Sequence, residues 1–425
     1  MMRKRVIISV LAAMTLSAPS LAEDASETFS EDAAVSVMRR GHPLVAAATA
    51  SVRAAEGNVI SASHWTNPIV DGSYTQAVRK SSYDPVGAVG VGVTQFLELS
   101  GLPGVRRKSA QASVHATFAD RDVVVRELEW SVRENFVHLA SAYERRKLHQ
   151  QGVSDLERAT EIVRARVAAG VAPKYDASRI QIALEQSRSD LLSADADIAR
   201  ARGDLNIVVG PLATELRGVP RFDIALHLEA PAVIALLERA RRERPDIVAA
   251  RRRTEAASFD VDVAKRSVFP GIGVRFGAGY GQATGQIDLG VGVAVALPVF
   301  ERGQGTIASA QARANSQKHV TDAITIAAEQ RIAAAHAELV HRIDALSRFR
   351  SQLRTLSDGM RSEAEAGYRE AKLSVLELVD AYQSLRSARL RSIELVEAAY
   401  VSKLALGRAV GVKGATSDVN PPARP

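Results

Sequence analysis

What most constrains this chain is that its pattern occurs twice. Ser109-Ala110-Gln111-Ala112 returns as Ser309-Ala310-Gln311-Ala312, a shift of 200 residues. Pro43 is answered by Pro245 and Pro68 by Pro270, each shifted by 202. Solenoid repeats are only a few tens of residues long, so a period of this size excludes a solenoid. Whatever one half folds into, the chain holds two pseudo-equivalent copies of it.

Each half reads helix, strand, strand, long helix, break, helix. In the first half an Ala-rich helical stretch is broken at Gly41-His42-Pro43, where Pro43 suits the first turn of a new helix. Asn67-Pro68 turns the chain out of helix, and strands are expected at about 68–79 and 86–99. A helix then runs from about Val105 to Ala168, with Leu128, Val132, Phe136, Leu139 and Tyr143 at steps of three and four. At 1.5 Å per residue it reaches roughly 95 Å, a coiled-coil length. Gly170 supplies a left-handed cap and Pro173 opens the returning helix, which ends at Gly210-Pro211. The second half repeats this order through Gly303 and Gly305 into a long helix. A break follows near Tyr368–Leu373, then a return helix to about Val410.

The expected division is therefore a secretory signal over 1–22, a first repeat over 23–210 and a linker over 211–230. A second repeat over 231–412 and a disordered tail over 413–425 complete it. The first repeat has strands at about 68–99 and a helical hairpin at about 105–209. The second has strands at about 268–300 and a hairpin at about 305–410. Arg3, Lys4 and Arg5 precede the short apolar run Val6–Leu16, and Ser20 and Ala22 place cleavage near Ala22.

Composition narrows the function. There is no cysteine, hence neither a disulfide nor a lipid-anchored cysteine. The net charge of +7 is ordinary for 425 residues, and Arg251-Arg252-Arg253 has no interleaved aromatics, so nucleic acid is not an expected partner. His336 and His341 are five apart, which does not share a helical face, so neither a metal site nor a cofactor is expected. No nucleophile-elbow or zinc-hydrolase spacing is present, so no enzyme is expected.

The strands carry the strongest physical signal. Ile287, Leu289, Val291, Val293, Val295, Leu297 and Val299 form one face, while Gly290, Gly292, Ala294 and Ala296 lie opposite with Asp288. This is period two with an apolar side and a side of the smallest residues. A membrane barrel, with lipid outside and a watery lumen inside, explains both faces; a soluble Gly-rich sheet is the other reading. Thirteen such residues would reach roughly 43 Å. Four strands cannot close a barrel, and open edges are not tolerated in lipid, so an oligomer must supply the rest.

In this order and spacing the chain resembles the TolC family of outer-membrane efflux channels. The resemblance rests on the duplication, His42-Pro43, Arg244-Pro245 and Asn67-Pro68. It rests also on Gln95-Phe96-Leu97-Glu98-Leu99 running into Gly101 and Arg106-Arg107, and on Leu297-Pro298-Val299-Phe300. The tips Ala169-Gly170-Val171…Asp176 and Tyr368…Leu376-Glu377-Leu378-Val379-Asp380-Ala381 complete it. The Gln95–Arg107 segment is similar to that of CzcC-like heavy-metal members, although Gly101-Leu102-Pro103-Gly104 departs from their Gly-Lys-Arg.

The resemblance implies a mainly α fold with a membrane β-barrel. Three chains would share twelve strands, continued by a coiled-coil barrel of helices that reaches into the periplasm. It implies a passive exit duct for small solutes, with heavy-metal cations first and drugs or secreted polypeptides as alternatives. The implied partners are two further copies of the chain, a periplasmic adaptor, an inner-membrane pump of the resistance-nodulation-division type, and outer-membrane lipid. A soluble periplasmic coiled-coil adaptor is the rival from another class. At the tips the resemblance assigns Glu377 and Asp380 to an acidic pore ring, whose repulsion would raise carboxyl pKa values. Asp176 and Tyr368 become a latch, flanked by the tip turns at Gly170, Pro173, Ala371 and Lys372. A basic latch residue of other members falls at Leu373.

Overall fold

A computed structural model describes residues 27–76, 87–221, 230–281, 285–357 and 359–412. The expected signal at 1–22, its cleavage near Ala22, the tail at 413–425 and part of the expected linker (222–229) lie outside the described residues.

The first half opens with β1 (Thr28–Phe29) and α1 (Glu31–Gly41), whose N-cap Ser30 accepts a hydrogen bond from the Ala33 amide. His42 caps α2 (Pro43–Ser63) through its ring, and Pro43 occupies the first turn, where its missing N–H costs nothing. β2 (Ile69–Gln76) and β3 (Gly87–Leu97) follow. Gly101, at φ 73°, turns the chain into α3 (Leu102–Ala168), 67 residues and about 100 Å long. α4 (Lys174–Val209) returns antiparallel to it, and a short 3₁₀ turn leads to β4 (Val219–Pro220), which pairs in parallel with β1.

The second half repeats this with α5 (Val233–Glu243), α6 (Pro245–Arg266), β5 (Ile272–Gly281), β6 (Gln286–Val295) and α7 (Gln304–Ser357). α8 (Met360–Arg369) and α9 (Val375–Val410) close it. Two expectations are corrected here. The outgoing helix of this half does not run unbroken through Met360, because Gly359 sits at φ 93°, a left-handed conformation that ends one helix and starts the next. β6 stops at Val295 rather than Val299, since Pro298 cannot donate to a ladder. Ten residues then extend about 33 Å, and a strand tilted by roughly 40° still crosses a hydrocarbon band about 25 Å tall.

The strands form one antiparallel sheet in the order β2-β3-β5-β6, so the two halves join at β3 and β5. The register places Asp71 beside Gly92, Gly92 beside Gly277 and Gly277 beside Gly290. One face is therefore floored by small residues. The other carries Val89, Val91, Val93, Phe276, Ile287, Leu289, Val291 and Val293, all exposed, Leu289 at 84%. Leaving such side chains in water forgoes about 1.5–3 kcal/mol each, so this face needs an apolar neighbour. Among the described residues no helix is long and apolar enough to cross a membrane.

The helices bury their apolar stripes in separate clusters along the stack. One gathers Phe29, Met38, Val132, Phe136 and Leu139 around α1, with Phe29 edge-on to Phe136 at 5.7 Å. Another, at the far end from the sheet, holds Val163, Ile180, Tyr368, Leu378 and Tyr382 from both hairpins. This second cluster fixes the geometry of the tips.

Candidate functional site

The two hairpin tips are built alike. In the first, α3 runs out at Ala168, the Val171 amide donates to the Arg166 carbonyl, and Gly170 takes φ 74°. Pro173 stands at the N-cap of α4 and places Asp176 in its first turn. In the second, α8 runs out at Arg369, the Lys372 amide donates to the Gly367 carbonyl, and Ala371 takes φ 58°. Ser374 is the N-cap of α9 and Glu377 lies in its first turn.

Tyr368 joins the tips. Its ring is 2% exposed and its hydroxyl donates to Asp176 Oδ2 at 2.9 Å. Burial, and then the Asp176 carboxylate, push the phenol up to about 12, so it remains a donor throughout the physiological range. The acceptor sits at a helix N-terminus, where a carboxylate is favoured. Sequence reasoning missed the third member, Arg166, whose guanidinium lies 4.7 Å from the Tyr368 ring centroid. A cation in the last turn of a helix is ordinary, and nothing local marks its partner as lying 202 residues away.

More links tie the hairpins together. Arg361 of α8 pairs with Asp155 of α3 at 3.2 Å. Arg386 of α9 reaches Ser187 and Asp190 of α4 at 3.0 and 3.1 Å. Tyr382 donates to Glu365 at 2.6 Å within the second hairpin. Lys372 pairs with Glu370 of its own turn at 2.6 Å, and Leu373 packs on Gly367.

Glu377 and Asp380 are both exposed on the same side of α9. Glu377 is also engaged in a capping box: its carboxylate accepts from the Ser374 amide at 2.7 Å, while its own amide donates to the Ser374 hydroxyl. The bond from the Ser374 amide, and then a second one that the Ser374 hydroxyl donates to the same carboxylate at 2.8 Å, hold the carboxyl below the usual range. Within the chain the shift is thus opposite to the rise expected from a ring of repelling acids. The signal for it was present in the spacing of Ser374 and Glu377, a Ser followed three residues later by Glu. A groove of about 600 Å3 beside Trp130, Arg244 and Arg408 lies between helices far from these tips. Among the described residues no cluster of three or more His, Asp or Glu is fit to hold a metal.

The sequence matches the outer membrane efflux protein family twice, over residues 34–210 and 236–412. The chain belongs to that family. The two matches begin 202 residues apart (34 to 236), the same shift as between the paired prolines. The cobalt-zinc-cadmium resistance protein CzcC of Cupriavidus metallidurans is 24% identical over 405 residues, covering 92% of each chain. The fusaric acid resistance protein FusA of Burkholderia cepacia is 28% identical over 286 residues, 63% of this chain and 53% of that one. The solved structure of the transmembrane channel CusC superposes with a TM-score of 0.71 at 18% identity, over 90% of this chain and 92% of that one. The fold is thus that of the TolC-like channels, a long helical barrel continued by a membrane β-barrel. Such channels are outer-membrane ducts, not enzymes, and serve tripartite systems with periplasmic adaptors and inner-membrane pumps. That excludes the soluble adaptor.

Proposed function

We propose that the chain is the homotrimeric exit duct of a tripartite efflux system for heavy-metal cations, driven by an inner-membrane pump of the resistance-nodulation-division type. Repeats 23–210 and 231–412, joined through 211–230, each supply two strands and one helical hairpin. Three chains give twelve strands, which use up the free edges of β2 and β6 and set the apolar sheet face against outer-membrane lipid.

In this reading Tyr368 and Asp176 latch the tips in the closed state, and Gly170, Pro173, Ala371 and Lys372 shape the turns that present them. Glu377 and Asp380, repeated about the axis, give six carboxylates at the entrance, an arrangement that attracts cations. The observation that carries the reading is the Tyr368–Asp176 bond at 2.9 Å, which joins the two hairpins at their tips beside exposed acids. The likeness to CzcC over 92% of both chains supports metal as the cargo. The likeness to FusA supports an organic anion instead, over a smaller share.

The test is growth of a strain lacking the chain. Sensitivity to cobalt, zinc or cadmium that the chain restores is the expected result. Sensitivity to fusaric acid alone would move the cargo to organic anions. Detergent extracts that contain only monomer would sink the trimer.

A further inference from the structure

The small-residue face of the sheet carries three charges in its described strands: Asp71 on β2, Arg275 on β5 and Asp288 on β6. Arg275 is paired in register with Thr94, yet its guanidinium does not stay there. It crosses β3 over Gly92 and forms an ion pair with Asp71, two strands away. A Cβ built at Gly92 would lie 2.8 Å from both Nε and Nη2 of Arg275. The missing side chain at Gly92 is therefore the path of the guanidinium. Gly290, on the same face, has nothing within 4 Å of such a Cβ.

The pair adds little to stability: both side chains are about half to one-third exposed, and exposed pairs contribute little. Its effect is on the field in the lumen. Low-dielectric walls focus that field, and rings of side-chain charge decide which ions pass. Laid flat and neutralised, Arg275 presents no free cation to the lumen. Asp288 is exposed and forms no ion pair among the described residues, so its charge remains.

We propose that Arg275 and Asp71, laid across Gly92, form a charge clamp that sets the cation preference of the barrel lumen. The clamp is a selectivity element separate from the acids at the tips, though it rests on the channel reading of the sheet. Three copies of the chain carry three clamps around one lumen. Releasing the guanidinium places three cations in the path of a permeating cation.

The test is reversal potential in a KCl gradient across planar bilayers, using full-length protein. A Glu377→Gln, Asp380→Asn background keeps the tip acids from masking the barrel. Asp71→Asn and Asp288→Asn change formal charge equally. The clamp predicts that Asp71→Asn, which frees the guanidinium, lowers the potassium-to-chloride permeability ratio further than Asp288→Asn does. Gly92→Ala changes no charge and lowers the potassium-to-chloride permeability ratio, whereas Gly290→Ala leaves it unchanged. Equal shifts for the two aspartate variants, or no difference between the two glycine variants, overturn the clamp. If Gly92→Ala does not assemble, the aspartate pair decides alone. A parent protein that gives no conductance overturns the channel reading together with the clamp.

Discussion

The two hairpin tips share one backbone plan and use it differently. Gly170 and Ala371 both take a left-handed φ, 74° and 58°, and are 201 residues apart in sequence. Pro173 and Ser374 stand at matching N-caps, with Asp176 and Glu377 three residues beyond. Ser374 has a hydroxyl and an amide that capture Glu377. Pro173 has neither, and Asp176 is left to accept from Tyr368 of the other hairpin. One changed cap residue thus separates an acid that stabilises its own helix from an acid that joins two helices.

The largest effect is expected from Tyr368→Phe or Asp176→Asn. A hydrogen bond to a charged group contributes about 1.5–3 kcal/mol, so the open-to-closed ratio should rise roughly 10- to 100-fold. Single-channel open probability measures it, and an unchanged value would remove the latch. The pH dependence has a fixed sign. The phenol is pushed up from 10 to about 12, so its contribution is complete below pH 10 and is lost as pH rises through 12. Opening should therefore increase across that alkaline window in the parent and not in Tyr368→Phe.

Next come the left-handed turns. A non-glycine residue there costs about 1–2 kcal/mol. Ala371→Gly should stabilise the second tip by about that amount, and Gly170→Ala should destabilise the first, read as opposite shifts in hydrogen exchange at α8 and α3. Equal responses in the two tips would break the comparison.

Arg166→Ala removes a guanidinium stacked on the ring, worth about 0.5–2 kcal/mol, and should raise open probability less than loss of the hydroxyl does. Because Arg166 lowers the Tyr368 pKa, its removal should move the phenol further up in an ultraviolet titration.

The smallest effect is expected from Glu377→Gln. Glutamine preserves the capping box while removing the charge, so helix stability should hold and only cation selectivity should fall. Ser374→Ala should do the reverse, fraying the start of α9 with selectivity retained. A loss of selectivity in both would mean that the cap, not the charge, governs the entrance.

Much of the fold was legible because its signals are local. Period-two faces, the prolines at 43 and 245 and the glycine turns act within a few residues of themselves. The end of β6 at Val295 and the break at Gly359 were locally marked, by Pro298 and by the glycine itself, but apolar periodicity ran through both and outweighed them. At the site, Asp176 and Tyr368 were named through resemblance. Arg166, Arg361 and Asp155 were not, because their partners lie across the molecule.

The sequence by itself determined the duplication, the two-sided strands and the turns, since each depends on backbone preferences or on which side of an element is apolar. Only the tertiary structure decided which charges meet. Arg275 finds Asp71 across 204 residues, Tyr368 finds Asp176 across 192, and Glu377 stays with its own cap. Charged and polar side chains take whatever partner packing brings within about 3 Å, and packing is set by the whole chain rather than by any stretch of it.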